Sequence, residues 1–453
     1  MVKRAIVTVR LPRLDGRDRP RALVHVGGLS LLERQLRQLA RLGVEQVWVL
    51  ANGFALEAES ALQKMRNIPK QVDLIQSPKE LVGLARAGDD LLFLDDALLI
   101  DDRVLLAMAQ NEGSCVLAVD PRGVAKNMRP SENLLGPDDK EAFVGVAKFP
   151  AALVSAQAPN APADDFLTLL VQAAYFEDDR SLFDIASVSK YLPDLKRNAP
   201  PVLHRVSERE GADEATDVLI STAQKGVLDW PGRFIYPVFE NMTVKALLDL
   251  PVTPHHITLV NSVLGFAGTY LFAMGHMLPA LVLALIFGLL DGVDGKLARV
   301  KMLTTKLGGL THILNRVVEF SWYFGIAFAL SRQGSDGTIF ALPLLIILSA
   351  GSELASSDFY RRMTGVHLDD SGSFERQFRL IGGRRNCFVW ALIPFAILDF
   401  WLAALWFLVA YAVLNAIVMQ WRFIKRLKEF TSNLSPIVAR NFRNSTYFFK
   451  KKK

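Results

Sequence analysis

From Ile257 to Leu290 the chain carries no Asp, Glu, Lys or Arg. An uncharged apolar run of that length covers two membrane crossings of about 17 residues each, the short end of the usual range. Hydropathy predicts six spans in the second half, at 256–274, 277–296, 307–331, 337–356, 383–399 and 401–421. The third holds His312, Arg316 and Glu319 in its first half, and the fifth opens on Arg384 and Arg385. Polar side chains at that depth face a bundle interior or a watery cavity. The first half has a different rhythm. "RAIVTV", "QVWVLANG", "VDLIQS" and "DLLFLDDALLI" read as buried strands, the last ending in acids. "LSLLERQLRQLARLGV" and "EAESALQKMRN" between them have helical apolar spacing. This alternation predicts a parallel α/β domain followed by an all-α membrane domain.

Composition and charge sharpen the division. Hydrophobic residues make up 51% of the 453, which is high for a wholly soluble protein. Lys296, Arg299, Lys301 and Lys306 lie between spans two and three, and Arg361, Arg362, Arg376, Arg379, Arg384 and Arg385 between four and five. Arg422, Lys425, Arg426 and Lys428 follow the sixth. Basic residues mark the cytoplasmic side, so both termini are expected there, in an integral protein of the cytoplasmic (inner) membrane. "MVKRAIVTVRLPRL" has no apolar core of secretory-signal length. Cys115 and Cys387, the only cysteines, give no disulfide framework and suit a reducing compartment. The expected organisation is a cytosolic α/β domain over 1–225, a linker over 226–252, a membrane domain over 253–430 and a basic tail over 431–453. The linker, "DWPGRFIYPVFENMTVKALLDL", is aromatic and apolar with few charges and reads as an interfacial helix. The tail reads as attraction to anionic lipid.

Two pairs of acids carry candidate chemistry. Asp95 and Asp96 follow an apolar strand, and ligands of parallel sheets bind beyond the carboxyl ends of strands. They read either as ligands of a metal or sugar phosphate, or as turn and capping acids. Asp291 and Asp294, at i and i+3 near a cytoplasmic helix end, place two carboxylates on one face where they can share a hard divalent cation. Gly295 and Ala298 leave room beside them, and Arg299 can contact phosphate bidentately. Arg361, Arg362, Arg384 and Arg385 can bind an anionic acceptor, and positive-inside bias accounts for them equally well. No pattern in the chain points to nucleic acid.

The stretch "DGVDGKLARVKMLTTKLGGLTHILNR" resembles the signature of the CDP-alcohol phosphotransferases, D-x-x-D-G-x-x-A-R, eight residues, then G-x-x-x-D-x-x-x-D. Asp291, Asp294, Gly295, Ala298, Arg299 and Gly308 fall on it in register, whereas His312 and Arg316 stand at its last two acids. "LPVTPHHITLVNSVLGFAGTYLFA" is similar to the segment entering that family's first span, with His255 in place of the usual asparagine. The resemblance implies a six-helix membrane domain, with Asp291 and Asp294 on metal, Gly295, Ala298, Arg299 and Gly308 on the cytidine nucleotide, and commonly a homodimer. It also implies transfer of a substituted phosphate from a CDP-alcohol to an acceptor alcohol, a membrane lipid or polyol phosphate, with release of CMP. The catalytic positions are His312 and Arg316. An arginine there repels cations, so at most one Mg2+ or Mn2+ and impaired transfer are expected. The alternative is an inactive relative that binds a nucleotide or lipid as a scaffold or regulator.

In the first half, "RPRALVHVGGLSLLERQLRQLARLGVEQVWVLANG" and "LFLDDALLIDDRVL" resemble a sugar-phosphate nucleotidyltransferase, a Rossmann-like α/β fold. Together the halves resemble the bifunctional inositol-phosphate cytidylyltransferases and di-inositol-phosphate phosphate synthases. Those nucleotidyltransferases begin with a glycine-rich loop that cradles phosphates. Here that stretch is "TVRLPRLDGRDRPRA", and Arg21 replaces the usual lysine. The expected domain keeps the fold with a degenerate site at Arg21, Asp95 and Asp96.

Overall fold

The computed structural model describes residues 2–9, 20–83, 89–96, 98–120, 142–163, 165–175, 177, 180–206, 209–304 and 308–431. The basic tail after 431, and residues 10–19 of the stretch that replaces the glycine-rich loop, lie outside the described residues. The chain forms two compact units. One comprises Met1–Leu192, Asn198–Thr222 and Val300–Met302, the other Pro193–Arg197, Ala223–Arg299 and Leu303–Lys453.

The first unit is an α/β sheet domain, as its alternating pattern requires. Its main strands are β1 (Arg4–Val9), β2 (Gln46–Ala51), β3 (Gln71–Ile75), β4 (Asp90–Leu94), β6 (Cys115–Asp120), β7 (Ala142–Pro150) and β8 (Arg180–Asp184). They lie in the order β8-β6-β7-β4-β1-β2-β3. β1 pairs in parallel with β2 and β4, and the sheet is mixed because β7 enters antiparallel between β4 and β6. Helices α1 (Leu31–Arg41), α2 (Ala55–Leu62), α3 (Asp102–Gln110), α4 (Ala151–Gln157), α5 (Phe166–Tyr175) and α6 (Arg209–Thr222) complete the unit.

The central strands β1, β2, β4 and β6 are apolar at most positions, on both faces, because both faces are covered. Ala5, Val7 and Val9 enter one core with Leu32, Leu36 and Leu92, while Ile6 enters the other with Trp48, Phe93 and Leu170. α1 begins where the Ser30 hydroxyl accepts from the Glu33 amide, and Gly43, at φ +82°, lets the chain leave the helix in the left-handed region.

Here the structure corrects one reading. "DLLFLDDALLI" is two strands, not one. β4 ends at Leu94, and β5 (Leu98–Ile100) leaves the sheet to pair antiparallel with β9 (Leu203–Arg205). Asp95 and Asp96 occupy the break, because their carboxylates take polar partners that a strand ladder cannot supply.

The second unit is helical. α7 (Trp230–Phe234) and α8 (Tyr236–Leu247) form the linker, which is two helices rather than one. Pro231 and Pro237 stand in their first turns, where a missing amide is tolerated, and the helices meet at Ile235. Next come α9 (Pro254–Ala273), α10 (Met277–Val300), α11 (Gly308–Arg332), α12 (Ala341–Thr364), α13 (Ser373–Ile381), α14 (Arg385–Ile397) and α15 (Trp401–Thr431). Among the described residues, five helices are long and apolar enough to cross a membrane, at Pro254–Ala273, Met277–Val300, Thr311–Arg332, Gly337–Thr364 and Trp401–Phe430.

The fifth expected span is the exception. α14 has 13 residues, about 20 Å of helix, against a hydrocarbon layer of about 30 Å. Its ends are nonetheless fixed at opposite ends of the bundle. Arg385 pairs with Asp291 of α10, while Asp399, just past the other end, lines a cavity of about 580 Å³ with Gly275, Met277 and Gln333.

Close packing joins α9, α10 and α11. A methyl group at Gly265 would collide with Val318 and Phe287, and the Trp322 indole donates to the Gly265 carbonyl at 2.9 Å. Phe287 meets Trp322 edge to face at 5.2 Å.

Candidate active site

α10 carries the signature segment, and the helices around it decide what its acids can do. Asp291 accepts from the Asn315 side chain of α11 at 2.5 Å on one oxygen and from Arg385 of α14 at 2.6 Å on the other. The Arg385 guanidinium also lies 4.9 Å from the centre of the Phe287 ring. Asp294 is buried and accepts from the Thr258 hydroxyl of α9 at 3.0 Å. Three helices thus converge on two carboxylates. Arg299 runs back along its own helix past Gly295 and donates through Nε to the Ala223 carbonyl at 2.9 Å. Ala298 is half-buried on the same helix, and Gly308 opens α11.

The last two signature positions sit on α11. His312 is exposed and interacts electrostatically with Asp291, Lys225, Arg385 and Arg316. Arg316 turns to Glu319 instead, at 2.9 Å, and Tyr323 donates to the other oxygen of Glu319 at 3.1 Å. Glu319 is therefore committed twice.

The four arginines proposed for an acceptor are not brought together. Arg385 is at the signature site, and Arg384 faces Glu353 at 3.4 Å and Asp369 at 3.8 Å. Arg362 pairs with Asp358 one helical turn away, and Arg361 is exposed on α12.

Behind α10 lies a contact that the signature does not contain. Glu240 of α8 pairs with Lys296 at 2.8 Å, and Lys296 also donates to Asn241 at 2.6 Å. Burial pushes the Glu240 carboxyl above its ordinary range, and the charge of Lys296 opposes this. Tyr236 accepts from the Trp390 indole at 3.0 Å, and burial raises its phenol to about 12.

In the first unit, Asp95 and Asp96 are fully buried at the carboxyl end of β4. Arg205 donates to Asp95 at 2.8 Å, and one terminal nitrogen of Arg21 donates to both oxygens of Asp96, at 3.1 and 3.2 Å. Thr8 donates to Asp95 at 3.2 Å, and its hydroxyl accepts from the Asp96 amide at 3.0 Å. Gly145, at φ +89°, stands where any side chain would press on Arg205 and Asp95.

The family resemblance implies divalent cations, and the donor sets do not fit them. Among the described residues no three His, Cys, Asp or Glu side chains group as a metal centre. Both oxygens of Asp291 are engaged, and an ion at Asp291 and Asp294 would have to displace Arg385 and Asn315. Asp95 and Asp96 have guanidinium groups against them. Sequence reasoning missed Thr258, Glu240, Arg205 and the role of Arg385, because each pairs with a residue far away along the chain and none has a local motif.

Residues 251–348 match the CDP-alcohol phosphatidyltransferase family. The chain is 24% identical over 423 residues to a bifunctional IPC transferase and DIPP synthase of Aquifex aeolicus (strain VF5), covering 86% of this chain and 90% of that one. It is 30% identical over 138 residues to the inner membrane protein YnjF of Escherichia coli (strain K12), covering 30% of this chain and 65% of that one. Among solved structures, the inositol-1-phosphate CTP transferase from T. maritima aligns at 14% identity and a TM-score of 0.35, covering 46% of this chain and 91% of that one. Residues 251–348 of this membrane protein are thus similar to the CDP-alcohol phosphatidyltransferases, and over 86% of its length the chain is similar to a bifunctional IPC transferase and DIPP synthase.

Proposed function

We propose that the membrane domain binds a cytidine diphosphate alcohol at the cytoplasmic end of α10, and that transfer of its substituted phosphate to an acceptor alcohol, with CMP leaving, is strongly impaired. The family match and the in-register Asp291, Asp294, Gly295, Ala298, Arg299 and Gly308 support the binding half. One observation carries the impairment: His312 and Arg316 replace two signature acids, and Arg385 and Asn315 hold Asp291. Displacement at phosphorus needs positive charge on the diphosphate and a base for the acceptor hydroxyl. Arg385 neutralises Asp291 and the third and fourth signature acids are replaced, so less negative charge is left to hold the metal ions that would supply it. Arg316 offers only N–H donors and is paired with Glu319, so it cannot serve as the base. Glu319 is already occupied by Arg316 and Tyr323. Of the two replaced signature positions only His312 can accept a proton, and it is exposed, which leaves slow rather than absent transfer.

The first unit has the corresponding reading: a nucleotidyltransferase-like domain whose acids are closed by Arg21 and Arg205, and which makes no CDP-polyol from CTP.

The test uses the full-length protein in lipid nanodiscs with CDP-linked alcohols, acceptor alcohols and Mg2+ or Mn2+, following CMP release. Wild type is expected to bind CDP and to release CMP slowly. His312→Asp/Arg316→Asp is expected to release CMP about 100-fold faster or more, the scale of a restored general base. Fast wild-type turnover that disappears in the double variant would refute the impaired reading.

A further inference from the structure

The signature helix is gripped from the side that faces neither Asp294 nor Ala298. Gly292 and Lys296 are one helical turn apart, and Arg299 falls on the same stripe. Any side chain at Gly292 would occupy the volume of the Glu240 carboxylate. Two consecutive residues of α8, Glu240 and Asn241, then hold the Lys296 ammonium, and the Glu240 and Lys296 side chains are 6% and 2% exposed. The charge of Glu240 also acts on Arg299, the residue expected at the nucleotide phosphate.

The opposite face of the linker helices is apolar and open. Phe234, Val238 and Met242, at i, i+4 and i+8, are 66%, 60% and 68% exposed. Phe239 is also exposed, and Arg233 and Lys245 flank the stripe with positive charge. α8 ends at Leu247 and the first span begins at Pro254, so the connection extends to about 20 Å at most. An apolar stripe with cationic flanks, tethered that close to a membrane crossing, fits the bilayer interface.

We propose that α7 and α8 rest on the lipid surface through Phe234, Val238 and Met242, and that Glu240 is a positioning residue which transmits that seat to the signature helix. The proposal rests on the reading that α10 holds the nucleotide. A helix anchored in the interface resists sliding along the membrane normal. Through Glu240 and Lys296 it fixes the height and rotation of the turn that carries Asp291, Asp294 and Arg299.

The test again uses the full chain in nanodiscs. A fluorophore on Val238→Cys or Met242→Cys is expected to be quenched by lipids carrying a quencher just below the head group, and lack of quenching overturns the lipid seat. CDP is the nucleotide probe. Glu240→Gln is expected to weaken CDP binding about 10-fold at full folding, because it leaves the Lys296 charge buried and unpaired. Gly292→Ala is expected to do the same by displacing Glu240, and Glu240→Gln/Lys296→Gln to recover most of the affinity. A purely structural role would lower the melting temperature without this pattern of loss and recovery. Thiol modification of Ala298→Cys reports the position of α10 without nucleotide, and its rate is expected to change several-fold in Glu240→Gln. Wild type that fails to bind CDP refutes the binding reading, and the thiol rate still decides the coupling. CDP affinity and thiol rate both unchanged in Glu240→Gln would overturn the positioning role.

Discussion

Asp95 and Arg205 show how one side chain closes a site. Their side chains are 2% and 13% exposed, so the carboxylate meets almost no water, and the guanidinium supplies the compensation a cation would otherwise give. Arg21 does the same for Asp96. Arg205→Gln is therefore expected to destabilise the domain by about 3 kcal/mol, as leaving one partner of a buried pair does. It should also create an affinity for Mn2+ that restores part of the lost melting temperature. Paramagnetic resonance in an Asp291→Asn/Asp294→Asn background checks this. No Mn2+ uptake by the folded variant would show that the arginine is not acting in place of a cation. The acids themselves were legible in the sequence, since they follow an apolar strand. Their closure was not: Arg205 is 110 positions away on a short strand with no distinguishing pattern. The same holds for Asp291 and Arg385, which are 94 positions apart.

At the level of elements, periodicity was a good guide where one environment surrounds a whole segment. The long apolar helices α9, α10, α11, α12 and α15 follow from hydropathy because lipid and bundle both demand apolar side chains. Reading failed where the environment changes inside a run. β4 and β5 are one apolar stretch in sequence, but two buried acids with polar partners break it. The linker was read as one helix because it is apolar, and its Ile235 junction has no signature beyond the nearby prolines. Gly265 is an element-scale feature that hydropathy hides, since it counts as neutral while setting how closely α9 meets α10 and α11. Gly265→Val is expected to destabilise the bundle by about 1–3 kcal/mol, the usual effect of overpacking, and to weaken the bond from Trp322. Thermal unfolding in detergent, followed by tryptophan emission, measures both. An unchanged midpoint would mean that α9 can move away without loss.

Over the whole molecule, the number of crossings decides on which side of the membrane the chain ends. Among the described residues five helices meet the length requirement, and an odd number would put the first residue and Lys453 on opposite sides. The basic loops predict the same side, which would make α14 the sixth passage despite its 13 residues. Reporter fusions at Met1 and after Lys453 are expected to give the same cytoplasmic signal. Opposite signals would mean that α14 turns back within the membrane. The brevity of α14 has a further result. Asp291 lies level with its first residue, and the part of α10 that runs beside it, Met277–Asp291, is about 22 Å of helix, also less than the hydrocarbon thickness. Lipid next to this side of the bundle must shorten to match, or water must reach inward to the acids. Either response is easier in a thin bilayer than a thick one. Acyl-chain length thereby becomes a control on how far the carboxylate–arginine pair is hydrated, and on how readily a charged diphosphate can approach it.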